Sequence, residues 1–332
     1  MEGRSRLPLR RIYRGRLRAT TLVVAAAVGS LALMPADRSS ARVPAPLPAR
    51  RPRPAPTARA APPESRPVDP ARFAPGACVV FAPTSGDRHL TVYLDAGHGG
   101  VDPGAIGTTT TGAQVHESDL TLPVELDTMA LLRRQGFAVA VSRTGPASVA
   151  RLTASDVSGG LLTPAGVLKD LAARAQCANE AGAQLLVGIY FDAGSSPANA
   201  GSVTGYDAAR SFASANLRFA DMLQSDVLAV MNAQGWGIPD GGVVSDNYLG
   251  SAVNSASDAY GHLMLLGPAK AGYFTTPSRM PGALIEPLFI TDPFEASIAD
   301  STHGQQVIAA GIATAVGQYF QSPAGRMVAS AR

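Results

Sequence analysis

Two cysteines are all this chain has, so its cysteine chemistry comes down to one pair, Cys78 and Cys177. They are either the two ends of a disulfide or small buried hydrophobes. Basic charge is scarce where a fold can form. Residues 1–70 carry 14 arginines and 4 acids, whereas residues 71–332 carry 14 Lys and Arg against 21 acids, giving net charges of +10 and −7. The overall pI near 9.0 therefore describes the leader. The remainder is acidic and has no basic stripe, which argues against nucleic acid as a partner. Long apolar runs are also missing. Ala19–Met34 falls short of the ~20 residues that span a bilayer comfortably, though not by enough to exclude an anchor.

What the N-terminal part does contain is a basic stretch from Arg4 to Arg18, that apolar run, and then Ser39-Ser40-Ala41, a small-x-small pattern suited to cleavage. This is the layout of an export signal, here over residues 1–41, either cleaved or retained as an anchor. Residues 42–75 alternate Pro with Ala and Arg and offer little to a core, as expected of an extended linker. Export would place the chain in an oxidising, extracytoplasmic compartment, secreted or associated with the envelope, where the disulfide reading gains weight.

Residues 76–322 are expected to form one domain, followed by a tail at 323–332. "LTVYLDAG" and "GFAVAVSR" alternate apolar positions in strand fashion, while "LLVGIYF" and "HLMLLG" are continuous apolar runs expected of strands buried on both faces. Helical spacing recurs at Leu168, Leu171, Ala175 and Ala178, at Ala220, Leu223, Val227 and Val230, and at Ile308, Ile312, Ala315 and Tyr319. The predicted class is α/β, a twisted, mostly parallel sheet with helices on both faces. Sites in such folds lie at the carboxyl ends of strands, which directs attention to "LDAGHGG", "GIYFDAG" and "ALIEP".

His98 stands just past the first of these strand ends among glycines, Glu117 opens the following helix in "HESDLTL", and Glu286 ends the apolar strand of "ALIEPLFITDP". A carboxylate in such a strand is costly to bury without a partner or a task. The phrases "LDAGHGGVDPGAIG", "ESDLTL", "RAQCANEAGAQLLVGI" and "PGALIEPLFITDPFEASI", in this order, resemble the zinc-dependent N-acetylmuramoyl-L-alanine amidases that cleave peptidoglycan. The resemblance spans about residues 90–320. It implies that His98 and Glu117 bind Zn2+ and that Glu286 is the catalytic acid/base. It also implies a histidine as third ligand, where this sequence has Tyr190.

A neutral phenol binds zinc poorly, so the site would be completed by Tyr190, by the carboxylate of Asp192 two residues on, or by water. His116, beside Glu117, is a spare donor, and nothing in the sequence assigns a place to His262. Arg143 and Arg174 match arginines common in the family. Arg143 is a candidate substrate contact, whereas Arg174 falls within a helix and reads as structural. Residues 195–261, rich in Ser, Asn, Gly and Asp, are expected as long loops around one helix beside the site. Peptidoglycan is the implied partner and the chain is expected to act as a monomer. Two rival readings remain: a degenerate relative that binds or regulates at the cell wall, and a metallohydrolase for another amide.

Overall fold

The computed structural model describes residues 65–249 and 260–330. The expected export signal and most of the linker lie outside them. The strands are β1 (Ser65–Pro67), β2 (Ala77–Phe81), β3 (Thr91–Ala96), β4 (Ile106–Thr108), β5 (Gln114–His116), β6 (Ala138–Arg143), β7 (Val157–Ser158), β8 (Leu161–Leu162), β9 (Leu185–Ile189), β10 (Ser202–Tyr206), β11 (Asp240–Ser245) and β12 (Gly282–Glu286). The helices are α1 (Glu117–Arg134), α2 (Pro164–Glu180), α3 (Ala213–Asn232), α4 (Pro293–Ala299), α5 (Thr302–Gln321) and α6 (Pro323–Ser330). Eight strands form the main sheet in the order β1-β2-β6-β3-β9-β12-β10-β11. Its centre, β6-β3-β9-β12, is parallel, and β2 and β10 flank that centre antiparallel. Among the described residues, no helix is long and apolar enough to cross a membrane.

Strand alternation sorts the central residues between two cores, as a period of two requires. Val92, Leu94, Val139, Val141, Leu185 and Val187 face one side, where they pack with Leu120 and Val124 of α1, Phe219 and Leu223 of α3, and Ile308 and Ile312 of α5. Tyr93, Ala140, Leu186 and Leu284 face the other, against Cys177 and Ala178 of α2. Helices therefore cover both faces.

Two sequence expectations change. Leu263–Leu266 of "HLMLLG" form a buried turn instead of a strand, because a four-residue apolar run fits either. Residues 195–261 hold more than loops around the one expected helix, α3, since two strands, β10 and β11, also lie within them and extend the sheet. Regular structure also begins before residue 76, with β1 paired to β2, and continues past 322 as α6 packed on α5. Finally, Cys78 lies inside β2, where it is joined to Cys177 of α2 by the expected disulfide, with a Cα–Cα separation of 5.6 Å.

The site is held from below by buried charge. Glu125 of α1 is fully buried, and its Oε1 accepts from Ala96 N, Ser142 N and Ser142 Oγ. Burial pushes this carboxyl up to about 7 in spite of the nearby Arg143 guanidinium. A carboxyl raised in the folded state favours folding fully below its unfolded value of 4.5, and the contribution is lost as pH rises through 7. The loss is worth roughly 3 kcal/mol. Glu125→Gln keeps the Oε1 acceptor and removes the charge, so urea denaturation at pH 5 and pH 8 should show a flatter pH slope in the variant. Equal slopes in variant and parent would refute this account of Glu125.

Candidate metal centre and catalytic cavity

The carboxyl ends of β3, β9 and β12 open into a cavity of about 580 Å³ lined by His98, Asp102, Gly104, Glu117, Tyr190 and Glu286 among others. Its far wall comes from Leu161 and Leu162 of β8 and from Val167, Leu171 and Arg174 of α2. Among the described residues of the segment 195–261, none lines this cavity.

His98 adopts a left-handed backbone, with φ of 60°, a conformation costly for any residue with a Cβ. It is fixed there from three sides. Arg174 Nη2 donates to the His98 carbonyl at 2.6 Å, Asp102 Oδ2 meets Nδ1 at 2.8 Å, and Glu117 Oε2 lies 3.1 Å from Nε2. Gly104 makes this approach possible, since a Cβ there would come within 2.6 Å of the imidazole and 2.8 Å of the Glu117 carboxylate. Burial alone would lower His98, but the Glu117 and Asp102 carboxylates outweigh it and carry the ring up to about 10. Burial would raise Asp102, yet its bond to His98 holds it below the usual carboxylate range.

Glu117 opens α1 and is buried. Oε1 accepts from Phe191 N at 2.9 Å and Oε2 from Ala105 N at 3.0 Å, so both oxygens are aimed before any ligand arrives. Glu286, the last residue of β12, is also buried and lines the same cavity. The structure thus brings together the three residues singled out at separate strand and helix ends.

Tyr190 stands beside them, its ring edge-on to His98 with centroids 5.5 Å apart. Its hydroxyl turns elsewhere, donating to Asp95 Oδ2 at 3.0 Å, while Asp95 Oδ1 is bonded by Arg174. Burial, with Asp95 close by, pushes the phenol well above its usual range and keeps it protonated. Gly97 is what admits the ring, because a Cβ at that position would lie 2.5 Å from it. Asp192 is not part of the lining. Regular strand geometry ends at Ile189, so the rule that residues two apart share a face no longer applies. Asp192 instead forms a bridge with Phe289, its Oδ1 accepting from Ala193 N.

Arg143, the candidate substrate contact, lies outside the cavity lining. It is 1% exposed, and its guanidinium donates to the carbonyls of Ala96, Gly97, Ser118 and Gly145 and to Thr121 Oγ1. It braces the loop that carries His98. Arg174 is structural as expected, pairing with Asp95 and Asp170. His116 precedes α1 outside the cavity. Sequence reasoning missed Asp102, although an acid four residues after His98 in the same glycine-rich loop was a usable signal.

The family model described as N-acetylmuramoyl-L-alanine amidase matches residues 92–318, a span that contains every residue of the cavity. The chain belongs to this amidase family. This amidase is 25% identical over 249 residues to the N-acetylmuramoyl-L-alanine amidase AmiA of Salmonella typhimurium, covering 71% of this chain and 78% of that one. It also resembles the solved N-acetylmuramoyl-L-alanine amidase of Clostridium difficile 630, with 25% identity, a TM-score of 0.50, and coverage of 70% of this chain and 98% of that one. The CwlD amidase of Clostridioides difficile, solved with the GerS lipoprotein, shares the fold at 20% identity and a TM-score of 0.52, again over 70% and 98%.

For zinc, the donors of this amidase fit in part. His98 Nε2 and Glu117 Oε2 converge as two ligands of one ion would, and a carboxylate behind the histidine is the usual support of a metal-bound imidazole. Among the described residues no further His, Cys, Asp or Glu completes a group of three with them, and the Tyr190 hydroxyl is committed to Asp95.

Proposed function

We propose that this amidase acts outside the cytoplasm and hydrolyses the amide between N-acetylmuramic acid and L-alanine in peptidoglycan, with a zinc centre reduced to two protein ligands, His98 and Glu117. The observation that carries the reading is the convergence of His98 Nε2 and Glu117 Oε2 in the cavity that Glu286 lines. Zinc bound there would polarise the scissile carbonyl and acidify water. Glu286 is the residue that takes a proton from water and passes it to the departing amine of L-alanine. Asp102 keeps Nδ1 occupied so that Nε2 is the atom offered to the metal, and the two backbone N–H groups on Glu117 fix its carboxylate opposite.

The test is digestion of purified peptidoglycan with the full chain, with mass spectrometry of the soluble products. Stem peptides with a free L-alanine amine should be released with added zinc and disappear with chelator. Sugar fragments still carrying their peptides would exclude the reaction. The position of the Tyr190 hydroxyl favours one rival, a non-catalytic protein that only binds the wall. Sedimentation with peptidoglycan sacculi without product release, at any zinc concentration, would support that rival.

Two protein ligands should hold zinc weakly. Tyr190→His is expected to tighten zinc binding at least tenfold, because a neutral imidazole supplies the donor that the protonated phenol withholds. Asp192→Ala should leave affinity nearly unchanged. Calorimetric zinc titration of parent and variants checks both, and a large loss in Asp192→Ala would return that carboxylate to the ligand set.

A further inference from the structure

A second group of metal-ligand type lies far from the cavity in the topology. β10 runs antiparallel to β12, so its carboxyl end points to the rim of the sheet opposite the one on which Glu286 sits. β11 runs parallel to β10, and the last pair in register is Tyr206 with Ser245. The next residue of each strand is an aspartate, Asp207 and Asp246, and both are fully buried. His262 Nδ1 faces them, 2.9 Å from Asp207 Oδ2 and 3.3 Å from Asp246 Oδ1. One ligand atom from each of the three lies within 4.8 Å of the others, the only such group of three among the described residues.

We infer that Asp207, Asp246 and His262 form a second divalent-metal site, suited to Zn2+, that pins the buried turn after His262 to the sheet. The carboxylate oxygens not turned inward are already placed by backbone donors: Asp207 Oδ1 accepts from Ala209 N and Arg210 N, and Asp246 Oδ2 from Leu263 N. The inward oxygen of Asp207 is different. Oδ2 is buried and accepts no hydrogen bond of acceptable geometry, although an imidazole nitrogen is 2.9 Å away. His262 Nδ1 is within hydrogen-bonding reach of Asp246 Oδ1, so the atom left over is Asp207 Oδ2, a fully buried carboxylate oxygen aimed into the group with no donor on it, as a ligand of a cation would be.

Charge supports the same reading. Two buried carboxylates need two positive charges, and one imidazolium supplies one. The neighbouring Arg210 spends its donors on the Leu266 and Gly267 carbonyls and on Ser278. A divalent ion with a neutral imidazole would neutralise both carboxylates at contact distance, which the guanidinium of Arg210, acting on Asp207 only through space, does not. One nitrogen and two oxygen donors suit zinc, whereas calcium and magnesium want an all-oxygen shell of six or more ligands.

Equilibrium dialysis against Zn2+, followed by metal analysis, tests this on the full chain. One equivalent should remain bound in His98→Ala, which disables the cavity, and His262→Gln should weaken that equivalent at least tenfold. Loss of all zinc in His98→Ala, or unchanged zinc in His262→Gln, would overturn the site. A second measurement needs no substitution. With zinc on Nδ1, the Nε2 of His262 carries the ring proton and has no free lone pair, so saturating zinc should slow its modification by diethylpyrocarbonate at least fivefold, read by peptide mass spectrometry. An equal rate with and without zinc would mean a plain His262–Asp207 ion pair and no metal. Because the two measurements read bound zinc and the His262 ring and not product release, their failure is separate from failure of the amidase reading.

Discussion

Glu286→Gln is expected to lower release of stem peptides from peptidoglycan by roughly 10²- to 10⁴-fold, the range lost when a positioned acid/base is removed. The substitution keeps size and hydrogen-bonding capacity at the end of β12 and removes only the ability to take and return a proton. Folding should be nearly indifferent to it, because the apolar residues of that strand, Ala283, Leu284 and Ile285, carry the packing. The discriminating measurement pairs turnover with a urea melt of the same sample. Retained turnover would exclude Glu286 as the acid/base. A variant that melts several kcal/mol early would show instead that the carboxylate serves the fold.

The second large effect concerns the disulfide. Cys78 and Cys177 are 99 residues apart, and both are fully buried. In the chain-entropy account, opening a loop of that length costs about 4.7 kcal/mol. For a domain of this size, Cys78→Ala with Cys177→Ala should lower Tm by about 10 °C or more. The bond ties β2 to α2, the helix that brings Arg174 to Asp95 and to the His98 carbonyl. Loss of activity should therefore precede global unfolding as the temperature of the double variant is raised. Matching melting curves for parent and double variant under oxidising conditions would remove the bond from any stabilising role.

Much of this architecture was legible because periodicity reports burial directly. The two-residue alternation of Val92 and Leu94 or Val139 and Val141, and the helical spacing of Ile308, Ile312 and Ala315, each reflect one apolar face. β10 and β11 escaped notice for the same reason. "SVTGY" and "DGGVVS" carry few large apolar residues, so their strand state is set by their sheet neighbours and not by their own pattern.

At the site, His98, Glu117 and Glu286 were visible because strand and helix ends are where such folds expose chemistry. The direction of the Tyr190 hydroxyl was not visible. It depends on Asp95 and Arg174, which the chain separates by 79 residues and only packing brings together. Arg143 misled for a related reason, since a sequence shows that an arginine is present but not whether carbonyls have already claimed its donors.

The reversal of β10 against β12 gives the sheet two margins with separate duties. A glycan mesh is a bulky, nearly immobile substrate, and it needs to reach only the margin where β3, β9 and β12 end. The opposite margin, where β10 and β11 end and Tyr248 stands largely exposed, lies at the other end of the sheet from that opening. It is the side on which a dye or an affinity handle can be attached while the enzyme is seated on its polymer.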